Sequence, residues 1–306
     1  MPTPIEIIEF IKDIPQNVKN LTYDDLVSQC NKYFASLPIA FVDFTNEQFF
    51  FRQREYGGLN VVHRGREITN PENRPHPNVA DISYIQKEDI ELIKKFGRVN
   101  KPKQSMFYGS LSYHTAAWET LSKGVEFRNS GSGMVTVGTW IIEKPLKLVQ
   151  MPHSEKVFNA LYDIVSYKPE RLRLEHIKEH NMLLKKQIGS DIGYEILELF
   201  GDAFAKFDIK TDNDYFLSNY YADRAFNQID GFEVGEEIDG IIYPSVPSSY
   251  QENNIVLKPS SVDTKLKFSS AMQVWVIHHL KTGKGAEFIP IELRVHAVGD
   301  GKLSWR

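Results

Sequence analysis

The chain has 306 residues, 42% hydrophobic and 25% charged, which is the range of an ordinary globular protein and enough for one large domain or two smaller ones. A formal net charge of −4 and a pI near 6.2 exclude a general pull toward nucleic acid or an anionic membrane, so no direct nucleic-acid partner is expected. The single cysteine, Cys30, cannot close an internal disulfide and reads as buried and inert. The opening MPTPIEIIEFIKDIP has neither a basic lead nor an unbroken apolar run, and no later stretch approaches the ~20 apolar residues of a membrane span. No membrane association and a cytoplasmic location are expected.

In chain order, Thr3 is placed to cap a helix carrying Ile5, Ile8, Phe10 and Ile11, and Thr22 to cap one from Tyr23 to Phe34 with Leu26, Cys30 and Phe34 on one side. After Gly57 and Gly58 a short strand is expected over Leu59 to Val62, with charged residues immediately beyond it. NPENRPHPN at 70–78, rich in proline and asparagine, has to be a loop, and KEDIELIKKF after it has a helical pattern. Met106 to Tyr108 reads as a strand. A helix follows from about Thr115 to Lys123, stopped by Gly124. MVTVGTWII and LKLVQM then predict a hairpin turning around Glu143 to Pro145.

Helical periodicity dominates from about 154 to 227, in RLRLEHIKEHNMLLKK, YEILELFGDAFAKF and DYFLSNYYADRAF. Strands return at Gly240 to Tyr243 and Ile255 to Leu257, and AMQVWVIHHL and AEFIPIELRVHAV flank the turn TGKG. No internal repeat is present. Strands, then helices, then strands again give an α+β fold with a mainly antiparallel sheet and an added helical subdomain.

Polar residues gather at strand ends in HRGR (63–66), in FGRVNKPKQSMFYGS through TAAWET (96–120) and in DGIIYPS (239–245). Arg64 and Arg98 offer rigid forks suited to bidentate phosphate contact, although a lone arginine is more often a surface or salt-bridge residue. Glu119 lies in the apolar turn Ala116-Ala117-Trp118-Glu119, where a carboxylate needs a reason, or else is an ordinary helix-surface glutamate. Phe107 and Tyr108 offer aromatic faces that strands commonly bury, and Ser245 follows Pro244 where turn chemistry alone accounts for it. His114 and the 70–78 loop flank these segments.

Other chemistries have less support. His176-Ile177-Lys178-Glu179-His180 fits H-x-x-E-H, a zinc-hydrolase pattern, but among Arg171, Arg173, Lys178, Lys185 and Lys186 it reads as a solvated helix, and no metal is expected. NSGSGMVTVG lacks G-x-G-x-x-G spacing and a P-loop lysine, and no G-x-S-x-G elbow occurs.

Taken together, the segments resemble the RES-domain family, named for its Arg, Glu and Ser. His63-Arg64 is similar to the family's opening aromatic-Arg pair, with histidine where tyrosine is commoner. Gly97-Arg98-Val99-Asn100-Lys101-Pro102, Phe107-Tyr108 and Thr115-Ala116-Ala117-Trp118-Glu119 follow its middle pattern, and Asp239 through Ser245 with Asn254 its closing one. The blocks stand in family order and span 63 to about 258. The domain reading is therefore a helical N-terminal extension over 1–50 and a RES domain over 51–306 with a helical insertion at about 154–227.

The resemblance implies an ADP-ribosyltransferase-like fold. It also implies an enzyme that cleaves the nicotinamide–ribose bond of NAD+ by hydrolysis or phosphorolysis, or transfers ADP-ribose to a protein. NAD+ is then a substrate, with no further cofactor. Glu119 is implied to stabilise the developing oxocarbenium ion, Arg64 and Arg98 to hold pyrophosphate or incoming phosphate, Tyr108 to stack on nicotinamide or ribose, and Ser245 to hydrogen-bond near the nicotinamide ribose. The family also implies a toxin with an Xre-like antitoxin partner. A partner-binding module with a degenerate cleft is the non-enzymatic alternative.

Overall fold

The computed structural model describes the chain except residues 1, 35, 45–59, 70–73, 123–129, 165–167, 228–236, 249–251, 279–285, 296 and 306. In chain order its helices are α1 (Pro4–Asn17), α2 (Tyr23–Tyr33), α3 (Val79–Ile82), α4 (Tyr113–Leu121), α5 (Glu155–Ile164), α6 (Lys168–Ile188), α7 (Asp191–Phe204), α8 (Phe216–Asn227) and α9 (Pro259–Lys265). Its strands are β1 (Phe41–Phe44), β2 (Val61–Glu67), β3 (Phe107–Ser110), β4 (Ser132–Ile142), β5 (Leu146–Gln150), β6 (Gly240–Pro244), β7 (Asn253–Leu257), β8 (Leu266–His278), β9 (Ala286–Val295), β10 (Ala297–Val298) and β11 (Lys302–Leu303). Pairing is mainly antiparallel, so the fold class is α+β.

Two compact units divide the chain, each built from three segments: 1–42, 91–104 and 147–251 in the first, and 43–90, 105–146 and 252–306 in the second. The first is mostly helical. Thr3 and Thr22 each begin a helix with a reciprocal capping box, the hydroxyl accepting from the backbone N–H three residues on while Glu6 or Asp25 reaches back. The apolar face of α2 then buries Leu26, Cys30 and Phe34 completely or nearly so. Phe34 packs edge-on against Phe200 of α7, and Tyr220 of α8 donates its hydroxyl to Asn31 Oδ1 at 2.9 Å. In this unit β5 runs parallel to β6, with Leu148 opposite Gly240.

The second unit holds strands in the order β7-β3-β2-β4-β8-β9. Alternation puts Val135 and Val137 of β4 on the same face as Val274 and Val276 of β8. There Ala116, Ala117 and Leu121 of α4 close over them. Each such fully buried valine or leucine stabilises by about 1.5–3 kcal/mol relative to exposure. The helix comes very near β2 because position 65 is glycine: a Cβ there would stand 2.3 Å from Thr120 Oγ1 and 2.7 Å from the Ala116 carbonyl.

Several expected elements shift. The β2 strand is Val61–Glu67, so HRGR belongs to the strand and does not follow it, because alternation sends Val62 and Arg64 inward while Arg66 remains exposed. Leu59 and the glycines before it lie outside the described residues. KEDIEL forms a 3-10 helix over Lys87–Leu92 with no buried residue, in place of the expected α-helix. The α4 helix starts two residues before Thr115 and ends at Leu121; Gly124 lies outside the described residues.

The expected hairpin of β4 with β5 does not form. The β4 strand pairs with β2 and β8, and β5 with β6 in parallel, because two apolar strands beside a turn signal give no information about partners further along the chain. By contrast β8 and β9 pair as an antiparallel hairpin, Trp275 opposite Ile289.

Candidate functional site

In the second unit, antiparallel register sets Ser110 of β3 opposite Asn254 of β7 and opposite His63 of β2, and His63 opposite Thr139 of β4. Paired residues project to one face, so four polar side chains lie in a row across the sheet. The Ser110 hydroxyl donates to Asn254 Oδ1 at 2.7 Å, and Asn254 Nδ2 donates to Glu119 Oε1. The two bonds fix the amide: its oxygen takes the hydroxyl proton, so its NH2 must face the carboxylate. Glu119 is half-buried near the end of α4, held at a defined place above the strands. His63 is hydrogen-bonded through Nδ1 to Thr139 Oγ1 at 3.0 Å. Burial, reinforced by nearby His114, pushes its pKa down to about 4, so the ring is neutral at physiological pH.

Arg64, next along β2, leaves the strand on the alternate face. Its guanidinium lies over the Phe107 ring, 5.3 Å from the centroid, and Nη1 donates to the Tyr108 carbonyl at 2.9 Å. Only 8% of the residue is exposed, its Nε has no hydrogen-bond partner, and no carboxylate is ion-paired with it among the described residues. Burial, with neighbouring Arg66, pushes its pKa down to about 10, which still leaves it cationic at pH 7. A buried guanidinium with no carboxylate beside it among the described residues is costly to the fold.

Tyr108 is half-buried and projects to the Ser110 side of β3. Arg64, Tyr108 and Glu119 thus belong to the second unit, Arg98 and Ser245 to the first. Arg98 is buried, and its fork donates to two main-chain carbonyls, Ala203 at 3.4 Å and Lys206 at 2.7 Å, closing the C-terminal end of α7. Around it the 97–102 segment is a compact turn: Gly97 N–H donates to the Asn100 carbonyl at 2.9 Å, and Asn219 of α8 donates to the Gly97 carbonyl. Ser245 is fully buried directly after β6, and its carbonyl accepts the Ser248 hydroxyl at 3.0 Å. Asp239 accepts the Lys147 N–H at 2.7 Å and so clips the start of β6 to β5.

The flanking residues have structural ties of their own. His76 in the 70–78 loop bonds Thr136 Oγ1 through both its backbone N–H and Nδ1, and its carbonyl accepts the Trp305 indole N–H. His114 is exposed, with its ring centroid 3.8 Å from that of Tyr113 and the two rings tilted by 36°. Ser110 and Asn254 are the site residues to which the sequence assigned no role. Asn254 stands in the closing sequence block, but its pairing with Ser110, 144 positions away, follows only from the β3–β7 register. Among the described residues no group of three or more His, Cys, Asp or Glu could hold a metal ion, and the His176 side chain lies outside that description. No described helix is long and apolar enough to cross a membrane.

A family model described as the RES domain matches residues 74–275, a stretch that contains the middle and closing sequence blocks and begins after Arg64. No curated protein matches the sequence significantly. With well over half of its 306 residues matched, the chain belongs to the RES-domain family, a family associated with enzymes that act on NAD+.

Proposed function

We propose that the protein is a toxin enzyme that cleaves the bond between nicotinamide and ribose in NAD+. The observation that carries this reading is the fixed Glu119 carboxylate, oriented by Asn254, which is itself oriented by Ser110. As nicotinamide departs, positive charge develops on the ribose C1 and ring oxygen. A carboxylate already in place stabilises that charge without reorganisation. The bond electrons leave with the pyridine nitrogen, giving neutral nicotinamide. Water or phosphate then adds to C1, and water loses its proton in doing so.

Arg64 is assigned to the phosphates by the family resemblance alone, since its side chain leaves β2 on the face opposite Glu119 and donates to the Tyr108 carbonyl. Tyr108 and Ser245 are assigned to the nicotinamide ribose, and Arg98 to the phosphates or, as its two carbonyl contacts favour, to holding the end of α7. An NAD+-consuming enzyme harms the cell that makes it, so a neutralising protein partner belongs to the same proposal.

The test is incubation of purified protein with NAD+, with and without phosphate, following free nicotinamide by chromatography. Release is expected from the native chain and not from Glu119→Gln, and a phosphate-dependent rate identifies phosphorolysis. A folded Glu119→Gln variant that releases nicotinamide at the native rate overturns the proposal.

A further inference from the structure

His63 stands on the sheet face that Glu119 covers. It is opposite Ser110, and Ser110 is opposite Asn254, whose amide holds the carboxylate. The strands β2 and β7 flank β3, so their backbones are roughly 9.6 Å apart, with the small Ser110 side chain between His63 and the anchor of Glu119. Tyr113, at the start of α4, sets its ring edge-on to the imidazole at 6.3 Å, and Nδ1 is tied to Thr139 Oγ1 at 3.0 Å. The other ring nitrogen, Nε2, makes no hydrogen bond among the described residues. In the tautomer that donates Nδ1–H to Thr139, Nε2 presents a lone pair. The elements around it bring no cation: α4, β3, β4 and β7 contain no lysine or arginine, and Arg64 and Arg66 of β2 leave on the opposite face.

We infer that His63 is the base of a hydrolytic reaction, taking through Nε2 the proton of the water that attacks the ribose C1. The inference rests on the NAD+ reading of the site, which it deepens by naming the acceptor and the group that activates it. As the C1–N bond breaks, its electron pair leaves with nicotinamide. A water oxygen then bonds to C1 and its proton passes to Nε2. The imidazolium releases that proton to solvent, so NAD+ and water give ADP-ribose, nicotinamide and one proton. Inverting glycosidases set their two carboxyl groups about 6.5–9.5 Å apart to admit a water beside the sugar, and the spacing across β3 is of that order. Burial holds the ring neutral, the form a base needs, and a water already partly bonded to C1 is acidic enough for a weak base. A phosphate dianion would instead meet the Glu119 carboxylate with no cation on α4, β3, β4 or β7 to offset the repulsion.

The experiment follows nicotinamide release from NAD+ by native protein, His63→Ala, His63→Gln and Glu119→Gln, each with and without sodium azide and with and without phosphate, once a denaturant curve shows which variants are folded. Azide is a nucleophile with no proton to lose, so it needs no base. His63→Ala should lower kcat about a hundredfold or more while the KM for NAD+ changes little. Azide should restore release in that variant, with ADP-ribosyl azide identified by mass, and should not restore it in Glu119→Gln. His63→Gln keeps the bulk of the side chain and should lose activity likewise, which covers an alanine variant that unfolds. A folded His63 variant with native kcat, or a loss that azide restores in neither variant, overturns the assignment. Native release that requires phosphate and yields ADP-ribose 1-phosphate also overturns it, while the NAD+ reading stands. A native chain that releases no nicotinamide removes the NAD+ reading and this inference with it.

Discussion

A glutamate on a solvated helix samples several rotamers, whereas Glu119 is gripped by an amide whose other end is held by a buried hydroxyl. Replacing Asn254 by Asp keeps the size but sets a carboxylate against a carboxylate. The expected result is a fall in kcat of about 10–100-fold, the scale of one hydrogen bond to a charged group, and a smaller change in KM. An Asn254→Asp enzyme with native kcat would show that Glu119 needs no such support. His63 gives a pH signature. Its folded pKa near 4 lies below the unfolded 6.5, so the unfolded chain binds the extra proton first, and stability falls as pH drops from about 7 toward 4. The loss from this group is on the order of 3 kcal/mol. Denaturant unfolding at pH 7 and pH 4.5 should show a flatter pH dependence for His63→Gln than for the native chain, and equal slopes would refute the assignment. Arg64 and Glu119 are legible in the sequence because short motifs hold them. Ser110 and the neutral state of His63 are not, since both follow from strand register and burial.

At the scale of elements, the ends of helices are where the sequence is most explicit. The two threonine capping boxes are local patterns, and both helices begin where those patterns put them. The cap on α7 comes from Arg98, more than a hundred positions before the carbonyls it satisfies, and no local pattern announces it. Arg98→Ala removes those bonds from a buried site and should destabilise by about 2–3 kcal/mol, read as a lower unfolding midpoint in denaturant. If stability is unchanged and NAD+ binding is lost, the residue is a ligand contact and not a cap. The seat of α4 on β2 depends on Gly65, where the obstructing group is the main-chain carbonyl of Ala116 as well as the flexible Thr120 hydroxyl. Gly65→Ala therefore has to move the helix that carries Glu119. It should cost both stability and nicotinamide release, with the variant's kcat falling further than its affinity for NAD+.

Over the whole molecule, the α+β class follows from the order of strand and helix patterns, while the missing β4–β5 hairpin and the parallel β5–β6 pair were hidden. Register between strands some ninety residues apart is set by packing that no short window contains. The same long-range economy appears in the first unit, whose core is assembled from 1–42, 91–104 and 147–251. The N-terminal helices lie outside the stretch matched to the RES model, yet they bury Val18, Leu26, Cys30 and Phe34 in that core. They also give hydrogen-bond acceptors to its later helices: Asn31 Oδ1 takes the Tyr220 hydroxyl, and the Leu21 carbonyl takes the Asn213 amide at 2.9 Å. Removing them would uncover Phe200, Tyr220 and Tyr221, each almost fully buried, and leave polar groups of α8 unsatisfied. A chain starting at residue 43 should then lose cooperative unfolding in the first unit and expose its α7 and α8 segments to rapid proteolysis. Mass mapping of the fragments reads this directly: protection of 191–227 equal to that in the native chain would mean that the helices over 1–42 decorate a unit that is stable without them.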